Sequence, residues 1–302
     1  VSARDIYIEK EAQINEEIER LRHAATRSLL TRSDVIIVAS VSCIYGLGTP
    51  EDYLKGVLSL NVGDQIGRRE LMIKLTDIYF ERNDIELRRG RFRVKGDVID
   101  VFPSWDETAV RIELFGDDIE SITQLHPVSG DVLAQLSRID IFPASHYVVS
   151  GGLEEPLAAI KKELDDQIAI FTKKGLLVEA QRLKQRTMYD IEMMQEMGYC
   201  KGIENYSRHL SGKQAGEAPG VLIDFFPDDF LLIIDESHVT VPQIGGMYKG
   251  DRSRKQTLVD YGFRLPSALD NRPLTFNEFE SKIKRVIYTT ATPGNYELAK
   301  VA

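Results

Sequence analysis

The run Phe-Leu-Leu-Ile-Ile-Asp-Glu-Ser-His at 230–238 constrains this chain more than any other stretch. Its apolar residues do not alternate with polar ones, so a strand built from them buries both faces, as strands of helix-covered parallel sheets do. Val35 to Val38 form a second run of this kind, expected as another buried parallel strand, and Arg-Val-Ile-Tyr at 285–288 a third apolar stretch. Parallel strands need crossover connections, usually helices. The spacing therefore predicts an α/β architecture with a mostly parallel sheet. Asp235 and Glu236 then stand at the carboxyl end of a strand, where open α/β sheets gather ligands.

The segments between these runs change texture. Ile14, Ile18, Leu21, Ala25 and Leu29 recur at helical spacing and predict an amphipathic helix over 13–30. Tyr-Gly-Leu-Gly-Thr-Pro-Glu-Asp-Tyr at 45–53 reads as a turn leading into a helix. From about 54 to 142, short alternating stretches are separated by Gly96-Asp97 and Gly116-Asp117, which predict hairpins in a strand-rich insertion. Leu157, Ile160, Leu164, Ile168 and Phe171 form one stripe, and Leu176, Ala180, Leu183 and Ile191 a second. With Lys-Lys-Gly at 173–175 between them, they predict a helical hairpin. Residues 211–220 are a loop by composition.

Composition sets outer limits. At 302 residues with 43% hydrophobic content, the chain has material for about two domains with real cores. Cys43 and Cys200 fit no metal spacing or disulfide framework, and no stretch reaches the ~18–20 apolar residues of a membrane span. A reducing cytoplasm is the expected location. The net charge of −9 argues against nucleic-acid binding over the whole surface and leaves room for a local basic groove.

Three patterns carry chemistry. First, the carboxylates of Asp235 and Glu236 suit a hard Mg²⁺ reached through water and the orientation of an attacking water. Nucleoside triphosphatases that use such a pair also need a Gly-x-x-x-x-Gly-Lys-Ser/Thr loop to cradle phosphates, and this chain has none. The null is a plain acidic strand end. Second, Thr-Thr-Ala-Thr-Pro-Gly at 289–294 resembles the Ser/Thr-Ala-Thr triplet that helicase-like ATPases carry after such a strand, which implies that the hydroxyls of Thr290 and Thr292 can bond to the acidic residues. The null is a threonine-rich strand end. Third, Arg89, Arg91, Arg93 and Lys95 alternate with Gly90, Phe92 and Val94, so period two sets four cations on one face of a strand. So dense a like-charge row suits an anionic partner better than a bare solvated face. Reversing Arg93 and Lys95 together to Glu is expected to abolish partner binding without unfolding.

Several blocks resemble one family over essentially the whole chain: residues 35–53, Gly-Ile-Glu-Asn-Tyr-Ser-Arg-His-Leu-Ser-Gly at 202–212, residues 224–276, and Tyr-Thr-Thr-Ala-Thr-Pro-Gly at 288–294. They look like the UvrB family, the damage-verifying ATPase subunits of bacterial nucleotide excision repair. The resemblance implies a helicase-like parallel-sheet ATPase domain of the P-loop NTPase type, its P-loop absent from this chain, with an inserted strand-rich domain. Residues 1–53 would be the first part of the ATPase domain, 54–144 the inserted UvrA-interaction domain, and 145–302 the second part of the ATPase domain. Asp-Ile-Tyr-Ile-Glu-Lys-Glu-Ala-Gln at 5–13 would be the returning arm of a DNA-binding hairpin. The chain is expected to be a middle piece, with the P-loop and hairpin tip upstream and the second motor domain downstream, unable to hydrolyse ATP alone.

Residue by residue, the resemblance implies Mg²⁺ binding through water at Asp235, water activation at Glu236, and motor coupling at Thr290 and Thr292. It implies contacts to UvrA at Arg82, Arg93 and Lys95, where Lys95 departs from the family's usual Arg and loses the bidentate fork. It implies a DNA path along Arg22, Ser42, Tyr147, Gln243 and Phe263, with core packing as the null for the two rings. Implied ligands and partners are ATP with Mg²⁺, damaged DNA, UvrA and UvrC. The triplet is Thr-Ala-Thr where Ser-Ala-Thr is usual, which keeps the hydroxyl. Two alternatives stay open: a UvrA-binding module of a transcription-repair coupling factor without ATPase activity, and a generic helicase.

Overall fold

A computed structural model describes residues 16–148 and 152–301. The chain forms two compact units, one of Val1–Val35 with Glu51–Ser150, the other of Ile36–Pro50 with Gly151–Ala302. The arm expected at 5–13 lies outside the described residues.

The first unit begins with α1 (Glu16–Thr31), α2 (Pro50–Lys55), β1 (Leu58–Asn61) and α3 (Arg68–Asp77). Seven strands follow: β2 (Glu81–Arg82), β3 (Arg91–Lys95), β4 (Val98–Phe102), β5 (Ala109–Phe115), β6 (Asp118–Leu125), β7 (Val132–Leu136) and β8 (Arg138–Ile141). Strands β2 to β7 make one sheet in sequence order, antiparallel except for the short β2–β3 pair, while β1 pairs with β8. Both predicted hairpins form. Lys95 pairs with Val98 across Gly96-Asp97, and Phe115 with Asp118 across Gly116-Asp117. The glycines take φ 63° and 66°, the left-handed region that a two-residue turn asks of its first central residue. Phe92, Ile99, Val101, Val110 and Ile112 fill the core.

Helix α1 forms as predicted, but its inward face differs. Ile18 and Leu21 are about half exposed, at 54% and 52%. His23 and Thr26 are buried instead. The reason is a polar cluster. His23 stacks on His146 at 3.9 Å, its Nδ1 lies 3.2 Å from the Tyr53 hydroxyl, and Thr26 Oγ1 lies 3.1 Å from His146 Nε2. Satisfied polar groups can be buried as readily as apolar ones.

The second unit contains α4 (Glu154–Lys173), α5 (Leu177–Met197), α6 (Ser207–Leu210), β9 (Leu232–Ile234), α7 (Ser237–Asp260), α8 (Phe276–Lys282), β10 (Val286–Tyr288) and α9 (Asn295–Val301). Helices α4 and α5 are the predicted hairpin, broken at Gly175 with φ 74°. Their stripes bury Leu157, Ile160, Leu164 and Phe171 on one helix, and Ala180, Leu183 and Ile191 on the other. Ile44, Val221, Ile234, Val241, Ile244, Leu274 and Phe279 form the core around β9. Just after α7, Gly262 takes φ 70°, and a Cβ there would lie 2.4 Å from the Glu179 carbonyl. Only glycine permits both the turn and this approach to α5.

One expectation needs correction. Residues 35–38 form no strand, and Ile36 and Val38 are 92% and 97% exposed. A strand exists only as part of a ladder, and β9 and β10 pair with each other, leaving this run without a partner among the described residues. The two apolar runs that do form strands, β9 and β10, pair in parallel as expected, and the sheet of the strand-rich insertion is antiparallel apart from the two-residue β2–β3 pair. The architecture is a mixed helix and strand one. Among the described residues, no helix is long and apolar enough to cross a membrane.

Candidate functional site

The acid pair sits where a strand turns into a helix. Strands β9 and β10 are parallel, with Leu232 opposite Val286, Ile233 opposite Ile287 and Ile234 opposite Tyr288. Beyond the strand ends the pairing continues: Thr289 N donates to the Ile234 carbonyl at 2.9 Å, and Ser237 N to the Thr289 carbonyl at 3.1 Å. Between these bonds the chain turns sharply. Glu236, the residue before α7, has φ 44° and ψ 49°, a left-handed conformation that costs a non-glycine residue about 1–3 kcal/mol. Both carboxylates are exposed.

Asp235 is held by one oxygen. Its Oδ1 accepts from the Glu236 amide at 3.0 Å and from the Thr289 hydroxyl at 2.8 Å. No described residue bonds to Oδ2. Thr240 Oγ1 donates to the Asp235 carbonyl at 2.8 Å, tying the acid's backbone to the first turn of α7. Glu236 Oε2 lies 3.5 Å from His238 Nδ1, which lies 2.6 Å from Thr290 Oγ1. Thr290 Oγ1 also accepts from the Thr292 amide at 3.1 Å. Ser237, fully buried, donates to Glu297 Oε1 at 2.6 Å and so docks α9 under the same turn. That hydroxyl, followed by backbone amides, holds the Glu297 carboxyl below its ordinary value.

The structure thus revises the threonine assignment. Thr290 and Thr292 do not bond to the acids. Thr289 bonds to Asp235, and Thr290 reaches Glu236 only through His238. Composition cannot separate three nearby threonines. The parallel register can, because Ile234 opposite Tyr288 sets residue 235 beside residue 289.

The basic strand is also altered. Arg89 precedes β3, donates to the Asp106 carbonyl and lies over the Phe102 ring at 5.2 Å. Arg91 meets Glu81 at 3.1 Å and Glu86 at 3.4 Å. Arg93 donates to Asp100 Oδ2 at 2.8 Å, and Arg111 takes Oδ1 of the same carboxylate at 2.7 Å. The register explains this trio, because Arg93, Asp100 and Arg111 are direct cross-strand neighbours. Burial pushes the Asp100 carboxyl up, but the bonds from Arg111 and Arg93 outweigh it and hold the group below its usual value. Arg82 is bonded to Asp84 at 2.8 Å. Lys95 is exposed and has no ion pair among the described residues. Arg91 and Arg93 thus have carboxylate partners, Arg93 sharing Asp100 with Arg111, while Arg89 bonds to a neutral carbonyl. Reversing Arg93 would set a carboxylate beside buried Asp100, so a loss of stability is expected to accompany it.

The five residues expected along a nucleic-acid path divide between the two units. In the first, Arg22 is exposed on α1 and meets Glu19 at 2.7 Å, while Tyr147 is half-buried, its amide donating to Ser145 Oγ. In the second, Ser42 is exposed with its hydroxyl 2.6 Å from Ser40 Oγ, and Gln243 is exposed on α7. Phe263 is half-buried, with the Arg182 guanidinium 4.2 Å from its ring centroid. That face of the ring already carries a cation, so a base stacking there would have to displace Arg182.

Residues 58–147 match the family described as the UvrB interaction domain, and residues 152–212 the UvrB third helical domain. The chain is 55% identical over 295 residues to the UvrABC system protein B of Clavibacter sepedonicus, covering 97% of this chain and 43% of that protein. It is 57% identical over 297 residues to that of Streptomyces coelicolor, covering 98% and 42%. It is 58% identical over 299 residues to that of Streptococcus pneumoniae strain Hungary19A-6, covering 98% and 45%. The chain spans less than half the length of these relatives. Over the stretch it spans, with both UvrB domains in order and identity of 55–58% across nearly every residue, the chain belongs to the UvrB family.

Proposed function

We propose that this chain is the acid-pair and partner-binding portion of the damage-recognition and verification subunit of the UvrABC excision nuclease. In this reading the whole protein is a helicase-like ATPase of the P-loop type that takes damaged DNA from UvrA and recruits UvrC in the cytoplasm. Residues 1–53 and 145–302 belong to its ATPase domain, and 54–144 to the inserted UvrA-binding domain. The observation that carries the reading is the acid pair at the β9–α7 turn, intact and linked to the segment after β10. A module that had lost its ATPase function would have no use for a left-handed Glu236.

The residues fit a hydrated Mg²⁺. Asp235 offers one unengaged, exposed oxygen, and among the described residues no group of three or more His, Cys, Asp or Glu could hold a metal. Mg²⁺ typically takes one or two carboxylates and keeps waters and phosphate oxygens as its other ligands. When bound with ATP, the ion neutralises charge on the phosphates. Asp235 would be the residue that holds the ion, and Glu236 would orient the attacking water. Coupling runs from Glu236 through His238 to the Thr290 hydroxyl and the Thr292 amide. Arg22 and Tyr147 of the first unit would contact DNA, as would Ser42, Gln243 and Phe263 of the second, and Arg82, Arg93 and Lys95 would contact UvrA.

The reading makes two predictions. These 302 residues alone turn over no ATP, because nothing in them cradles phosphates; turnover that vanishes in Glu236→Gln would contradict this. Second, in titration calorimetry Lys95→Glu weakens UvrA binding by about tenfold or more, since like-charge contacts are strongly unfavourable, and leaves the melting temperature unchanged. Arg93→Glu lowers the melting temperature as well. An unchanged affinity for Lys95→Glu would remove β3 from the interface.

A further inference from the structure

Thr289 lies outside the Thr-Ala-Thr triplet, yet it touches the acid-pair turn at three points. Its amide holds residue 234, its carbonyl holds residue 237, and its hydroxyl holds the carboxylate of residue 235. The backbone bonds fix both ends of the turn, so Glu236 is confined to its left-handed conformation between them. The hydroxyl donates to Asp235 Oδ1 at 2.8 Å and makes a longer contact, 3.4 Å, with the Ile234 carbonyl. A carboxylate on a single bond swings about its χ2 torsion and offers either oxygen to solvent. Two donors on Oδ1 remove that freedom and leave Oδ2 as the one acceptor free to meet an incoming ligand.

We propose that Thr289 is the positioning residue for Asp235, saturating Oδ1 so that Oδ2 is presented to a hydrated divalent cation. The proposal rests on the reading of Asp235 as the residue that holds Mg²⁺. Groups one shell out from a metal ligand typically change metal affinity about 10–100-fold when removed. Because Thr289 would act on the ion only through Asp235, the low end of that range is expected. The backbone bonds of Thr289 do not depend on its side chain. Val keeps the β-branched shape and loses only the hydroxyl, while Ser keeps the hydroxyl and loses only the methyl.

The test uses the full-length polypeptide that carries this segment, loaded with ADP, with Mn²⁺ as a paramagnetic probe titrated by electron paramagnetic resonance. Thr289→Val is expected to weaken Mn²⁺ binding about tenfold, Thr289→Ser to restore it, and Asp235→Asn to weaken it further than Thr289→Val. Thermal melting of each variant checks that the fold is intact. If Asp235→Asn loses Mn²⁺ and Thr289→Val does not, the positioning role is overturned while the reading of Asp235 stands. If Thr289→Val and Thr289→Ser weaken binding equally, the hydroxyl is not the operative group and the proposal fails. If Asp235→Asn binds Mn²⁺ as the parent does, the metal reading of Asp235 fails and the proposal with it.

Discussion

Replacing Arg272 by Leu is expected to destabilise the chain by about 3–5 kcal/mol, the usual consequence of removing one partner from a buried ion pair. Arg272 is buried and bidentate on Glu278, with Nη1 to Oε2 at 2.7 Å and Nη2 to Oε1 at 2.8 Å. It also donates to the Gly216 carbonyl at 3.0 Å and the Pro273 carbonyl at 3.2 Å, and lies 5.2 Å from the Tyr248 ring centroid. One guanidinium therefore ties the 211–220 loop, α7 and α8 together. Glu278 in turn caps α8, accepting from the Thr275 amide at 2.7 Å while its own amide donates to Thr275 Oγ1. The Arg272 bond is the main reason the Glu278 carboxyl is drawn down to about 2. Leu would leave that carboxylate and two carbonyls without their donor. Arg272→Lys keeps the charge and loses the fork, so an intermediate loss is expected. Arg272→Leu with Glu278→Leu should recover most of the stability, less about 1 kcal/mol for the cap. Urea unfolding followed by circular dichroism measures all three. A loss below about 1 kcal/mol for Arg272→Leu would mean that the pair adds no more than an exposed one does.

Arg272 also shows what was legible in the sequence and what was not. Strands β9 and β10, the Gly-Asp hairpins and the α4–α5 pair were readable because each is fixed by local pattern: an apolar run, a turn dipeptide, a stripe broken by Lys-Lys-Gly. The acid pair was readable for the same reason, since it directly follows an apolar run. What failed depends on partners distant in sequence. Val35 to Val38 has the composition of a strand, but a strand is a property of a pair, and no neighbour lies beside this run among the described residues. Helix α1 has an apolar stripe, yet it buries His23 and Thr26 because Tyr53 and His146 answer their polar atoms.

The site follows the same division. Asp235 and Glu236 stand at a strand end that local pattern marks, whereas the hydroxyl on Asp235 comes from Thr289 and not from Thr290 or Thr292, the two expected to reach the acids. Register is set by the pairing of two strands more than fifty residues apart and cannot be read from either alone. Of the four alternating cations, Arg91, Arg93 and Lys95 lie on β3, whereas Arg89 precedes it. The partners of the row could not be read locally, because Asp100 and Arg111 arrive from β4 and β5. Lys95 has no ion pair among the described residues.

The first unit is expected to lose stability steeply between pH 6.5 and 5, in a range where carboxylates contribute little. His23 and His146 are stacked in the core at 3.9 Å with an interplanar angle of 15°. Burial pushes the His23 imidazolium down to about 3, with Arg22 adding a smaller push. Burial also lowers His146 well below its ordinary value, helped by His23 and Arg22. The hydrogen bonds agree with two neutral rings. Thr26 Oγ1 donates to the His23 carbonyl at 3.0 Å, so it can accept from His146 Nε2, and the Tyr53 hydroxyl can donate to the Pro143 carbonyl while accepting from His23 Nδ1. A second proton on either ring would bury a charge in the core, close to the Arg22 guanidinium. A histidine whose folded pKa is depressed leaves stability intact above the unfolded value of about 6.5. As the pH falls below that value, the unfolded chain binds the proton first. Each unit of pH then removes about 1.4 kcal/mol per histidine, or about 2 kcal/mol each by pH 5. Glu278 acts in a separate window, losing its contribution only as the pH falls from 4.5 towards 2. Melting temperatures at pH 7.5, 6.5, 5.8 and 5.0 should therefore fall progressively below pH 6.5. In His23→Gln, which keeps a polar side chain without the titration, the slope should be about half that of the parent, whatever the variant's starting stability. Equal slopes in parent and variant would mean that His23 titrates in the folded state as it does in solvent, and the buried neutral pair would have to be abandoned.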